Sequence, residues 1–564
     1  MVGRDLVLGI NVGRTSYGME LRNGGTCILK DGEVEIALAE ERVTRRKADS
    51  GFEESLRFCL NKRGYELGDF DIIVYSSCVD KQGRSSPNLD VDKTKIQSVS
   101  HHLSHARSAF HVSGFDEALI GVFDAGGDIL EGEDPSEWWK CSREQQSYYI
   151  GRDNDIELLH RDFSDAYEAG IGEIYRAFTH YLGFGSQINS GKTMGLAAYG
   201  DAAKFTSELF YFDGIEMKSK IKNDPKNPIE MVETFADQQN ITTWEQRRRD
   251  EKVKNIHNDI AAYLQREVES ALVTKFQKLF DRHDIDSVSL AGGVALNCVA
   301  NREILSNTGF SEMFVQPAAG DQGQCLGNAL HGHHEILGRE ESFLMESPYF
   351  GNWYSPEENS NLISEIEDDG FDIFNPEEIS ELFKRAASFL AEGNVIGIFQ
   401  GRSEFGPRAL GHRSILADPR KGEICKKLDE IKSRREFRPY APSVIREYTS
   451  ELFTEDWYSD LSNTNQKMSL YMIITSTIKT ETRDEIPAVV HEDGTARLQE
   501  VDQLISPKFY KLLEQFRKET GVPVVLNTSF NGGGEPIVET PRDAYECFIK
   551  TPIDCLILED IFIN

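Results

Sequence analysis

"SVSLAGGVALNCVANREIL" runs from Ser287 to Leu305. It opens on a short apolar stretch, breaks at Gly292-Gly293, and continues with apolar residues at helical spacing. Strand, glycine turn and helix in that order are the unit from which α/β folds are built. The same layout returns in "EMFVQPAAGDQGQCLGNALHGHH", residues 312–334. Further out, "LVLGINVG" (6–13) reads as a strand. "TCILKDGEVEIALAEERVTR" (26–45) reads as a hairpin turning at Asp31-Gly32. "DIIVYSS" and "EALIGVFDAGGD" read as further strands, and residues 256–283 carry a long helical pattern. The fold class is α/β.

Composition shifts at "GREESFLMESPYFGNWYSPEENSN", which is polar and holds two prolines. The expected organisation is a domain over 1–345, a linker region over 346–375, and a domain over 376–564 that can fold alone. Residues 222–250 are charged and lack clear periodicity, so an inserted loop or lid is expected there.

The 564 residues are 39% hydrophobic and 28% charged, which suits ordinary cores. No apolar run approaches the ~18–20 residues of a membrane helix, and "MVGRDLVLGINVG" lacks the layout of a signal peptide. Nine scattered cysteines with no C-x-x-C pair give neither a disulfide framework nor a zinc ribbon. A cytoplasmic location is expected. The net charge of -32 argues against a broad nucleic-acid face, because phosphate backbones are repelled. Solubility is the ordinary reading of such a charge, and attraction of a cationic substrate is the sharper one.

Against that acidity, three sets of residues stand out. "SVSHHLSHARSAF" concentrates His101, His102 and His105 in a chain with 13 histidines. On a helix, His101 and His105 share one face, about 5–6 Å apart, a spacing at which two imidazoles can bind one metal ion; His102 points away. Asp124 in "VFDAGGD" and Asp321 in "PAAGDQG" sit beside glycines at strand ends, where α/β sites gather. Two His and two Asp make a mixed N/O set for iron, zinc or manganese. Helix capping and turn formation are the plainer roles for both aspartates.

The second set is glycine-rich. "SGKTMGLAAYG" (190–200) holds Lys192, but five residues separate Gly185 from Gly191 and no strand leads in, so it is not a P-loop. "AGGVALN" (291–297) offers Gly292, Gly293 and Asn297 at a strand-to-helix turn suited to a phosphate. Tight packing explains such a glycine pair equally well. The third set lies beyond the composition shift. "FQGRSEFGPRALGHRSILADPRK" (399–421) carries Arg402 and Arg408, "KSRREFRPYAPS" (432–443) carries Lys432, Arg434 and Arg438, and "LNTSFNGGGEP" (526–536) carries Asn527, Ser529 and Asn531. Concentrated cations beside Gly and Pro in so acidic a chain point to a phosphate or nucleotide pocket.

"HHLSHA", "DAGGD", "GKTMGLAAYG", "GGVALN", "AAGDQG", "GRSEFGPRALGHRSIL", "KSRREFRPYAPS", "HEDGTARLQ" and "LNTSFNGGGEP" together resemble, in this order and almost end to end, the NodU/CmcH-type O-carbamoyltransferases. The resemblance implies a TsaD-like N-terminal domain, an actin-type fold of two ribonuclease-H-like lobes, and a YrdC-like α/β C-terminal domain. It implies that the C-terminal domain makes carbamoyl adenylate from carbamoyl phosphate and Mg-ATP. The N-terminal domain then transfers the carbamoyl group to a small-molecule hydroxyl at a divalent metal, iron by resemblance. Carried over residue by residue, His101, His105, Asp124 and Asp321 are the metal ligands and catalytic set. Arg402, Arg408, Lys432, Arg434, Arg438, Asn527, Ser529 and Asn531 hold ATP and carbamoyl phosphate, with Lys432, Arg434, Ser529 and Asn531 matching the K-x-R and S-x-N elements. Lys192, Gly292, Gly293 and Asn297 hold the adenylate in the transfer domain. No nucleic-acid or membrane partner is implied, and a homo-oligomer is compatible.

One departure stands out: the family places a His-Asp pair just after the first strand, whereas "GINVGRTSYGMELRNGGTCILKDG" has no histidine, and Arg22-Asn23 stands near that place. The residue serving as general base for the acceptor is therefore not assigned. Transfer to tRNA or protein is the alternative within the fold, and an actin-like ATPase without transfer is the alternative outside it. The net charge of -32 opposes tRNA, and the second anion pocket opposes a simple ATPase.

Overall fold

In a computed structural model, residues 5–13, 23–76, 87–129, 141–164, 168–341, 343–434, 437–455 and 467–564 are described. Arg22 and Cys78 lie outside them. The chain divides into two units: Met1–Glu35 with Ala48–Met345, and Ile36–Lys47 with Glu346–Asn564.

The first unit repeats one sheet motif. In chain order come β1 (Leu6–Asn11), β2 (Gly25–Lys30), β3 (Glu33–Ala39), whose end belongs with α1 (Glu40–Thr44) to the second unit, then α2 (Glu53–Arg63), β4 (Ile72–Ser76) and β5 (Ile96–Ser98). The sheet order is β3-β2-β1-β4-β5, with β1 antiparallel to β2 and parallel to β4. After α3 (His101–Phe110) come β6 (Glu117–Phe123), β7 (Arg143–Arg152) and β8 (Asp155–Ser164). Next are α4 (Ile171–Tyr181), α5 (Ser190–Ala197), the hairpin β9 (Phe210–Asp213) and β10 (Glu216–Ser219), α6 (Pro228–Gln238) and α7 (Asn255–His283). Then follow β11 (Ser287–Ala291), α8 (Cys298–Asn307), β12 (Glu312–Val315) and α9 (Gln324–His331). The second sheet, β8-β7-β6-β11-β12, matches the first in order and in pairing sense. These are the two ribonuclease-H-like lobes.

Helix α3 follows the first sheet but packs on β6 and β11 of the second, while α9 follows the second sheet and packs on β1, β2 and β4 of the first. The two helices meet each other. A Cβ on Gly327 would lie 1.9 Å from the carbonyl oxygen of Ser104, so only glycine permits this approach. The crossing places the N-terminal ends of α3 and α9 beside the ends of β6 and β12.

In the second unit, α10 (Pro356–Asp368), β13 (Ile373–Phe374), α11 (Ile379–Ala391), β14 (Ile396–Phe399), β15 (Arg413–Ala417), α12 (Ile424–Ile431) and β16 (Ala441–Ile445) come first. The short α13 (Thr449–Leu452) and α14 (Lys467–Leu470), then β17 (Thr475–Thr477), β18 (Thr495–Arg497) and β19 (Gln499–Val501) follow. The unit closes with α15 (Pro507–Thr520), β20 (Val524–Ser529), α16 (Pro541–Lys550), β21 (Cys555–Leu558) and β22 (Ile561–Ile563). Eight strands form one sheet in the order β13-β22-β21-β14-β15-β20-β16-β19. Its core gathers Leu382, Phe383 and Leu390 of α11 with Leu512, Leu513 and Phe516 of α15 over Ile396, Ile398 and Val525.

Three expectations change. The end of the presumed hairpin, Glu40–Thr44, is helix α1, with Glu40 and Glu41 in its first turn where the helix dipole favours carboxylates. The span 222–250 is not a bare loop: α6 buries Met231, Val232, Phe235 and Ala236. Beside α6, the Trp244 ring packs on Phe178, Phe205, Phe235 and Tyr263 with centroids 5.4–6.1 Å apart. The region 346–375 is not a free linker. It holds α10, and β13 pairs with β22, so it is part of the second unit. Among the described residues no helix is long and apolar enough to cross a membrane.

Candidate metal centre and cation cluster

Ser100 caps α3, its hydroxyl accepting from the Leu103 amide, and so starts the helix at the first histidine of the run. His101 and His105 then project from one face, their ring centroids 5.0 Å apart. Asp124 follows the last residue of β6, and Asp321 opens the turn that leads into α9. His101 Nε2 lies 3.0 Å from Asp124 Oδ2 and 3.6 Å from Asp321 Oδ1; His105 Nε2 lies 3.7 Å and 3.4 Å from the same atoms. One donor atom from each of the four residues falls within 4.8 Å of all the others. Burial alone would raise the pKa of Asp124, but hydrogen bonds from His101 and His105 hold it well below the usual carboxylate range.

The sequence pattern gave no role to Gln324, one helical turn after Asp321. Its Nε2 lies 2.9 Å from His101 Nε2, 3.0 Å from His105 Nε2 and 3.4 Å from Asp321 Oδ1, and its Oε1 accepts from Ser76 Oγ at 2.6 Å. The N–H groups of a neutral amide thus sit among the ring nitrogens of two imidazoles and a carboxylate oxygen of Asp321. Donors arranged to face partial positive charge fit a divalent cation. His102 does point away: its Nδ1 meets Ser147 Oγ at 2.7 Å, and burial, then His101, pushes its pKa well below the usual value.

The glycine-rich residues divide. Gly292 has φ +89°, and a Cβ there would lie 2.1 Å from the Phe123 carbonyl oxygen. It packs β11 against the end of β6. A Cβ on Gly293 would approach Asp124 Oδ1 at 3.4 Å, so this residue borders the metal set. Asn297 is spent on structure: Oδ1 accepts from the Ala300 amide at 3.1 Å, and the side chain exchanges hydrogen bonds with Gln265. Lys192 lies half-buried on α5, which packs against α4 and α7.

In the second unit, the Lys432 amine donates to Asn531 Oδ1 at 2.7 Å, to the Asn531 carbonyl at 3.0 Å, to Ser529 Oγ at 3.2 Å, and to the Ser529 carbonyl. The K-x-R and S-x-N elements therefore meet. Arg434 Nε lies 3.2 Å from Asp429 Oδ1, and its guanidinium stacks 4.1 Å above the Tyr440 ring. Burial, then Arg434 and, more weakly, Lys47 and Arg438, lowers the Lys432 pKa well below the lysine range. Arg438 is pushed down to about 10 by burial, then by Arg434 and Arg497. Cations crowd here, and Asp429 is the carboxylate that pairs with Arg434. A cavity of about 420 Å³ opens beside the same loops, lined in part by Arg45, Lys550 and the carboxylates of Glu430, Glu535, Asp543 and Glu546.

Two of the expected anion ligands are committed to backbone and core. Arg402 donates from Nε to the Gly351 carbonyl at 2.9 Å and from Nη2 to the Phe350 carbonyl at 3.0 Å. Asn527 Nδ2 bonds Gln499 Oε1 at 2.9 Å and Ser443 Oγ at 3.0 Å inside the sheet. Arg408 is half-buried in the loop between β14 and β15. Lys47 and Arg497 are cations of the cluster that sequence reasoning missed. Arg497 lies within the quoted "HEDGTARLQ" but was given no role, while Lys47 carries no signal beyond an acidic-basic run.

The pattern described as "Carbamoyltransferase N-terminus" matches residues 84–330, and "Carbamoyltransferase C-terminus" matches residues 387–564. The chain is 33% identical over 576 residues to Nodulation protein NolNO of Sinorhizobium fredii, covering 96% of this chain and 79% of that protein. It is 27% identical over 367 residues to 3'-hydroxymethylcephem-O-carbamoyltransferase of Streptomyces clavuligerus, covering 63% of this chain and 61% of that one. Full-length HypF in its phosphate- and nucleotide-bound form aligns with 58% of this chain and 55% of its own at 14% identity and a TM-score of 0.34.

Proposed function

The chain belongs to the carbamoyltransferase family and is a carbamoyltransferase, and from that premise we propose an ATP-dependent O-carbamoyltransferase acting on a small-molecule hydroxyl in the cytoplasm. The single observation that carries the reading is the crowd of cations around Lys432 in the second unit. Burial and neighbouring cations both lower these pKa values, and an entering polyanion would favour the charged forms again. Carbamoyl phosphate and ATP are the polyanions that the family chemistry requires.

In the first half-reaction carbamoyl phosphate loses its phosphate to water, leaving carbamate. A carbamate oxygen attacks the α-phosphorus of ATP, and pyrophosphate leaves, giving carbamoyl adenylate. Lys432, Arg434 and Arg438 neutralise the phosphates, and Ser529 and Asn531 hold the Lys432 amine in place. In the second half-reaction, in the first unit, the acceptor hydroxyl attacks the carbamoyl carbon, its proton passes to a base, and AMP leaves. His101, His105, Asp124 and Asp321 would hold a divalent cation, which supplies Lewis acidity toward a donor oxygen. Gly293 leaves room beside Asp124 for the adenylate to approach.

The test is incubation of the full chain with Mg-ATP, carbamoyl phosphate and a panel of hydroxylated metabolites. Carbamoyl adenylate, pyrophosphate and an acceptor heavier by one carbamoyl group are the expected products by mass spectrometry. Transfer that proceeds without ATP would overturn the reading.

A further inference from the structure

Gln324 opens α9, and Asn328 stands one turn further along the same face; both side chains are fully buried. Ser76, equally buried at the end of β4, meets both of them. The backbone fixes the polarity of this trio. The Ile10 carbonyl of β1 can only accept, so the Asn328 amide turns its nitrogen to it, at 2.7 Å. The same nitrogen donates to Ser76 Oγ at 2.9 Å, which uses the second of its N–H groups. The Ser76 hydroxyl hydrogen is left to donate to Gln324 Oε1 at 2.6 Å.

The oxygen of the Gln324 amide is thereby engaged by Ser76, and the nitrogen is the atom that faces the metal set. Nε2 lies 3.0 Å from His101 Nδ1, 3.0 Å from His105 Nε2 and 3.4 Å from Asp321 Oδ1. An amide N–H donates hydrogen bonds and offers a metal no lone pair. Its partial positive charge supplies these imidazoles and this carboxylate with part of what a cation would supply. The amide and a cation cannot both face the same donor atoms. A glutamine that served as a ligand would turn its oxygen inward, and the chain from Ile10 through Asn328 and Ser76 holds it the other way.

We propose that Gln324 is a positioning residue of the metal centre and a built-in competitor of the cation. Its N–H groups hold His101, His105 and Asp321 together, and they give way when a divalent cation binds. Gln324 therefore stabilises the metal-stripped protein and weakens its hold on metal. Ser76 sets the strength of this competition, because it keeps the amide oxygen from turning toward the cation. The proposal rests on His101, His105, Asp124 and Asp321 being the cation's ligands.

The experiment uses the full chain, stripped with a chelator, as wild type, Gln324→Leu and Ser76→Ala. Fe²⁺, Mn²⁺ and Zn²⁺ are each titrated alone against a fluorescent chelator, and melting temperatures are recorded with and without metal. Gln324→Leu is expected to bind metal about tenfold more tightly, the scale of one or two hydrogen bonds that the cation no longer has to displace. Its stripped form should melt lower than the stripped wild type, and the gain in melting temperature on adding metal should widen. Ser76→Ala should shift affinity in the same direction by a smaller factor. A role in packing alone would lower both melting temperatures and leave affinity equal or weaker. Gln324→Leu that binds no ion more tightly than wild type does would overturn the role of Gln324. Should that variant fail to stay folded when stripped, the same result in Ser76→Ala would overturn it. A wild-type chain that binds none of the three ions would instead overturn the underlying reading of the four ligands.

Discussion

The two clusters of ionisable groups in this chain are built on opposite electrostatic principles. Around His101 and His105, carboxylates and imidazoles converge, and Asp124 is held ionised by its neighbours. Around Lys432, cations converge on cations, and each makes the next harder to keep charged. The first cluster gathers four donor residues within reach of one point, a set that would suit a shared cation. The second gathers cations at a place where an incoming anion would be favoured. An acidic chain thus separates a place that concentrates donor atoms from a place that concentrates positive charge, which suits one enzyme with two half-reactions.

That contrast can be broken by exchanging charge at either cluster, and the largest effect belongs to the first. His101→Ala and Asp321→Ala should each strip bound metal and lower carbamoyl transfer by about three orders of magnitude, the scale of several kcal/mol of Lewis-acid stabilisation. Adenylate formation should persist. Metal analysis and separate assays of the half-reactions would show it, and equal loss of both half-reactions would erase the distinction between the clusters.

Next in size is Lys432→Met. Its amine makes several charge-assisted contacts worth ~1.5–3 kcal/mol each, so adenylate formation should fall roughly a hundredfold. Metal content should be unaffected. Near-wild-type pyrophosphate release would place the pocket elsewhere.

A subtler test follows the proton. Lys432 holds its proton less tightly in the folded chain than an ordinary lysine does. The group therefore binds fewer protons folded than unfolded, and its contribution to stability rises with pH between its lowered folded pKa and the ordinary value of about 10.4. A bound polyanion raises the folded pKa again. Binding of carbamoyl phosphate on the alkaline side should thus take up protons, seen as a dependence of the calorimetric heat on buffer ionisation. Proton release in that range would contradict the surplus of positive charge.

The smallest effect is at the back of the metal cluster. Ser147→Ala leaves the buried His102 Nδ1 without its hydroxyl partner, at a cost of about 1–3 kcal/mol. The melting temperature should fall while the first half-reaction stays unchanged. No change in melting would mean that His102 relaxes without penalty.

Much of this was legible in one dimension. The α/β class and the strand ends carrying Asp124 and Asp321 follow from local periodicity and glycine turns, and the four-residue spacing puts His101 and His105 on one face once a helix forms there. The meeting of Lys432 with Ser529 and Asn531 was legible only through the resemblance. Other assignments were not legible. Arg402 and Lys432 look alike in sequence, yet the guanidinium meets the carbonyls of Phe350 and Gly351, while the amine meets Ser529 and Asn531 close to Arg434 and its partner Asp429. Asn297 and Asn527 lie in equally suggestive motifs, and both turn inward to satisfy buried polar neighbours.

By itself the sequence determined the repeating strand–turn–helix units and the kinds of donor available at their ends, because backbone preference and hydrophobic spacing act over a few residues. The tertiary structure alone decided which donors share a point in space. It brought Gln324 among the histidines, and it joined Ile36–Lys47 to a unit that otherwise begins at Glu346. Charge and hydrogen bonding act through distance, and distance between far-separated residues is set by the path of the whole chain.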